Sequence, residues 1–108
     1  MKKFVFVYHG SDVDANASSE VMAASKDKWM AWFGTFHDKM VDGGNPFAPS
    51  GKSVTSKGVE TVSAEMTPAT GYTIINANSM DDAVEIAKGC PLAQENTGAV
   101  RVYEALPM

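Results

Sequence analysis

The run Phe4-Val5-Phe6-Val7-Tyr8 constrains the fold of this chain most. Successive side chains of a strand leave opposite faces, so Phe4, Phe6 and Tyr8 share one face while Val5, Val7 and His9 share the other. Both faces are apolar. A strand of this kind belongs in the middle of a sheet that is covered on both sides. Residues 72–77, Tyr-Thr-Ile-Ile-Asn-Ala, read as a second central strand. A chain of 108 residues is short for supplying cover on two faces and is expected to form one domain spanning 1–108. Two helices can cover only one face of such a sheet, and an apolar face left wet marks an interface. The chain is therefore expected to pair with a copy of itself.

Between and after these strands lie two helical segments. Ser18 or Ser19 can cap a helix predicted over about 20–41, with Glu20 favourable in its first turn. Its apolar stripe reads Met22, Trp29, Trp32/Phe33, Phe36 and Met40, interrupted at Ser25. Gly43-Gly44 is expected to end it, and Asn45-Pro46 to stop it resuming. Ser79, followed by Asp81 and Asp82, opens a second helix that Gly89 and Pro91 close. Residues 53–62 alternate weakly and predict one or two short edge strands with a turn at Lys57-Gly58. Residues 92–98 read as loop, and 99–105 as the last strand. The order is that of a ferredoxin-like α+β fold, βαββαβ, an antiparallel sheet with two helices on one face.

Charge narrows the function. Thirteen acids against nine bases give a net charge of −4, and the longest basic run is Lys2-Lys3. A nucleic-acid binder needs a basic stripe, so that class is excluded. The one cysteine, Cys90, forms no internal disulfide and fits a reducing, cytoplasmic setting. The apolar run after Lys3 is five residues, too short for a secretory signal, and no stretch approaches a membrane span.

Few residues point to chemistry. His9, ending the first strand, is a candidate general acid/base, although a histidine there more commonly just closes a strand. His37 and Asp38 are adjacent on the predicted helix and cannot face each other as a dyad. His9, His37 and Cys90 match no metal-ligand spacing, so no metal is expected. No nucleotide fingerprint or phosphate loop is present, and no cofactor is expected. Cys90 follows a helix C-terminus, where the dipole opposes a thiolate, and reads as structural. Trp29, Trp32, Phe33 and Phe36 crowd one and a half helical turns. They either pack a core or wall an apolar pocket between helix and sheet. In the second case Trp29, Phe33 and His37 form one wall, Tyr8 the floor and Pro46-Phe47 the rim.

Several stretches together resemble a known family. Met1 to Gly10 resembles the opening strand of the YCII-related (DGPF-type) domain proteins. Met40 to Phe47, with Gly44-Asn45-Pro46, is similar to the helix end and turn of that family. Gly71 to Ile75 resembles its third-strand start, Ser79 to Ala87 its second helix, and Cys90-Pro91 with Gly98 to Glu104 its closing turn and strand. The resemblance implies a dimeric α/β barrel, in which two ferredoxin-like sheets face each other, as in muconolactone isomerases and small monooxygenases. Two features depart from it. The stretch 61–70 lacks Asp-Gly-Pro-Phe, and the helix-one histidine that some members pair with an aspartate falls near Asp27, so that dyad is not carried over.

The expected function is a small homodimer binding an apolar or aromatic molecule at Tyr8, Trp29, Phe33, His37, Pro46 and Phe47. The alternatives are a cofactor-independent isomerase or oxygenase with His9 as acid/base, and a structural or regulatory dimer without a ligand.

Overall fold

The computed structural model describes residues 1–11, 16–63, 66–94 and 98–108. The elements run β1 (Lys2–Gly10), α1 (Ser19–Thr35), a 3-10 turn (His37–Lys39), β2 (Met40–Asp42), β3 (Lys52–Thr55), β4 (Gly58–Thr61), β5 (Ala69–Ala77), α2 (Met80–Ala87), α3 (Pro91–Gln94) and β6 (Gly98–Ala105). Four strands form one antiparallel sheet in the order β2-β5-β1-β6, and β3-β4 is a separate hairpin. With β2, β5 and β6 as second, third and last strands, this is the ferredoxin-like order. The two strands with apolar faces, β1 and β5, are the central pair.

The two-faced pattern of β1 is visible in its burial. Phe4, Phe6 and Tyr8 are buried, while Val5, Val7 and His9 between them are half-buried. On β5, Thr73, Ile75 and Ala77 are buried and Tyr72, Ile74 and Asn76 are half-buried. Phe4 lies opposite Ile75 and Phe6 opposite Thr73, so the buried sets coincide. They pack with Trp32 and Phe36 of the α1 segment, Ala83 and Ala87 of α2, and Cys90 and Leu92 beyond it. Val5 and Val7 pair with Ile74 and Tyr72 and form the opposite face, which continues through exposed Tyr103 on β6.

The caps follow the sequence. Ser18 Oγ accepts from the Val21 amide and Ser79 Oγ from the Asp82 amide, each at 3.2 Å, satisfying helix-start donors that have no intrahelical partner. Three expectations are corrected. The first helix stops at Thr35, not near 41, because Phe36 leaves helical geometry (φ −132°) and its amide bonds back to the Phe33 carbonyl. Met40, one helical turn past Phe36 in sequence, begins the edge strand β2 instead. Residues 52–61 make a hairpin of their own and are not an edge of the main sheet. Residues 92–94, read as loop, belong to α3, which Pro91 opens. The rest of that loop, 95–97, and part of the 10–19 connection, 12–15, lie outside the described residues. No helix among the described residues is long and apolar enough to cross a membrane.

Candidate functional site

The aromatic residues of α1 divide between two tasks. Trp32 is buried, lies 5.9 Å from Phe6 in a stacked arrangement, and donates its indole N–H to the Ile86 carbonyl at 2.8 Å. This bond ties α1 to α2 and satisfies the one polar atom of a core indole. Trp29 and Phe33 are only half-buried. They face a cleft of about 720 Å³, within the usual range for small-molecule sites. One wall is α1. The opposite rim is the segment 43–47, and the ends of β1 and β5 lie beneath.

The floor is Tyr8. Its ring meets Trp29 edge-on, with centroids 4.9 Å apart and planes at 85°. Its hydroxyl lies 2.6 Å from Thr73 Oγ1, and Thr73 Oγ1 in turn donates to the Gly43 carbonyl at 2.9 Å. The threonine proton is thus committed to Gly43, so the Tyr8 O–H must be the donor to Thr73. Burial raises the Tyr8 phenol above its ordinary value of 10.0, and the Thr73 bond opposes this only in part. The floor is a neutral phenol.

The rim is held on β5 by backbone. Pro46 bridges to Gly71, and the Phe47 amide donates to the Thr70 carbonyl at 2.9 Å. The Phe47 ring stacks on Tyr72 at 5.8 Å. Gly44 adopts φ +77° and gives its amide to Asp42 Oδ1 at 2.8 Å. A Cβ there would collide with the Tyr72 carbonyl, so glycine is required for the turn to lie against β5. The β1–β5 register shifts between Tyr8 and His9, a bulge at the cleft end of the strands.

The structure brings Tyr8, Trp29, Phe33, Pro46 and Phe47 to one cleft. His37 does not line it. The early stop of α1 puts His37 in the 3-10 turn, where it is exposed, and this corrects the wall drawn from the longer helix. His9 does not line the cleft either; it lies on the Val5/Val7 face with Nδ1 2.8 Å from the Thr67 carbonyl. A carbonyl only accepts, so this contact places a proton on Nδ1. Thr67 itself has φ +47°, a strained value for a β-branched residue. Sequence reasoning missed Lys26, Met30, Leu92 and the backbone of 43–45 as lining. Lys26 and Met30 share the helical spacing of Trp29 and Phe33 and could have been found by periodicity. Leu92 comes from α3, which carried no sequence signal. Cys90 is buried, and among the described residues no three His, Cys, Asp or Glu side chains gather as a metal site.

Comparison with solved structures finds 5-chloro-2-hydroxyhydroquinone dehydrochlorinase from Burkholderia phenoliruptrix AC1100, in complex with 2,5-dihydroxybenzoquinone, at a TM-score of 0.58. The two share 16% identity over 94% of this chain and 90% of that one, a likeness of fold. Comparison with curated proteins returns no match. The model of the YCII-related domain matches residues 6–108. With nearly the whole length matched, the chain belongs to the YCII-related domain family.

Proposed function

We propose that this protein binds a small apolar or aromatic molecule in the cleft between α1 and the sheet. The observation that carries this reading is the partial exposure of Trp29 and Phe33 over Tyr8. Two large rings that could close a core instead wall a space of about 720 Å³. The structural neighbour, solved with a planar ring compound, supports the reading at the level of fold. The test is calorimetric titration with 2-naphthamide, a neutral bicyclic probe. Saturable binding is expected, weakened about tenfold or more by Trp29→Ala, since truncating a ring-lined contact costs over ~1.4 kcal/mol. Absence of saturable binding, or full affinity in Trp29→Ala, overturns it.

The same reading makes the protein a one-domain homodimer of the cytoplasm, joined through the sheet face of Val5, Val7, Tyr72 and Ile74. That face is half-buried in the single chain and leads to exposed Tyr103. Native mass spectrometry at micromolar concentration should give twice the chain mass; a monomer refutes the pairing. A second reading, an isomerase or oxygenase with His9 as acid/base, draws on the Nδ1 contact with the Thr67 carbonyl. Because His9 lies outside the cleft, such chemistry belongs to the paired sheet face. A reaction unchanged in His9→Ala removes it.

A further inference from the structure

The cleft wall on α1 is one helical face. Lys26, Trp29, Met30 and Phe33 follow at i, i+3, i+4 and i+7, so the four side chains stack along it. Among the described residues that line the cleft, Lys26 is the one charged side chain, and none is Asp or Glu. Its neighbour Asp27 is about 100° around the helix and is not part of the wall. Among the described residues no carboxylate pairs with Lys26; the Lys88–Glu85 ion pair lies on α2, outside the cleft lining. This cation stands in a chain whose net charge is −4. The described lining thus carries the sign opposite to the whole molecule, which favours an anion beside Lys26. The floor sets the polarity from the other direction. The Tyr8 proton is committed to Thr73 and the Thr73 proton to Gly43, so neither hydroxyl has a donor left for an anion. Burial keeps the phenol neutral.

We infer that the ligand is an aromatic carboxylate, its ring between Trp29, Phe33 and Tyr8 and its carboxylate on the Lys26 ammonium. This inference rests on the cleft reading above and adds the charge of the ligand and its orientation. An apolar wall beside one cation suits a flat ring with one charged end, and a charge-assisted N–H···O contact is the stronger kind of hydrogen bond.

The test compares 2-naphthoate with 2-naphthamide, nearly identical in shape and different in charge, by calorimetry on the full chain at low salt. The wild type should bind 2-naphthoate about five- to tenfold more tightly. The preference should shrink at higher ionic strength. Lys26→Gln should remove it by weakening 2-naphthoate alone, and Lys26→Arg should keep it. Equal affinities in the wild type, or a preference that survives in Lys26→Gln, overturn the charge assignment. In both cases 2-naphthamide still binds in a Trp29-dependent way, and the cleft reading stands. If neither compound binds, the cleft reading itself fails.

Discussion

The Tyr8–Thr73–Gly43 chain of hydrogen bonds joins the central strands to the turn that forms the cleft rim, and its worth can be measured. Tyr8 is 6% exposed and Thr73 fully buried, so water cannot replace either partner. Tyr8→Phe removes one hydroxyl and leaves Thr73 still donating to Gly43; it should cost about 1 kcal/mol, the net value of a single neutral hydrogen bond. Thr73→Val keeps shape but strands the buried Tyr8 O–H and the Gly43 carbonyl together, and should cost about 2–3 kcal/mol. In the double variant the stranded phenol is gone, so its cost should fall short of the sum by about 1 kcal/mol. At about 2.1 cal/mol/K of unfolding entropy per residue, each 1 kcal/mol in a chain of this length lowers Tm by about 4 °C. Urea unfolding followed by tryptophan emission, at fixed protein concentration and with unchanged m-values, gives all four free energies. Additivity within about 0.3 kcal/mol would show that the two hydroxyls do not interact and would remove the donor assignment with it.

Two further outcomes follow from the same region. The Tyr8 phenol is raised above its ordinary 10.0, so above about that pH the unfolded chain releases a proton that the native state keeps. The contribution is full below the unfolded value and declines as pH rises, by at most about 1.4 kcal/mol per pH unit. The urea midpoint of Tyr8→Phe should fall less steeply between pH 9 and 11, and parallel curves would contradict the shift. Gly44→Ala forces a positive φ on a residue with a Cβ and drives that Cβ into the Tyr72 carbonyl, so it should cost more than about 3 kcal/mol. At Gly43 an added Cβ would meet only Met40 Sδ at 3.4 Å, and Gly43→Ala should cost under about 1 kcal/mol. Equal effects at the two glycines would refute the close approach.

What could be read from the sequence was what depends on local pattern. The two-faced run at 4–8 placed β1 at the sheet centre, and Ser79 with Asp82 marked the start of α2 to the residue. Tyr8, Trp29 and Phe33 face the same cleft, and strand alternation and helical spacing are enough to set their directions. The errors fell where one residue type serves two patterns. Met40 continues the Phe36 spacing of a helix and equally starts a short strand, and only its pairing with Ile75 decides between them. His37 was lost with that decision. A three-residue edge strand has too little sequence to show alternation, and a four-residue helix such as α3 has too little to show periodicity.

The aromatic cluster of α1 presented a choice between core and pocket, and the structure divides it by position along the helix. Trp32 and Phe36 sit over Phe6 and close the core, with ring centroids 5.9 and 6.3 Å away. Trp29, Met30 and Phe33 lie on an adjoining face and an earlier turn, where Met30 is 59% exposed. Trp29 still reaches Tyr8, so the cleft is continuous with the core and its floor is a core residue. A chain this small has few large side chains that stability can spare. Leaving three of them part-covered on an open wall forgoes a fraction of the roughly 1.5–3 kcal/mol that full burial of each would contribute. A ligand that covers this wall recovers part of that burial, which couples occupancy of the cleft to stability of the fold.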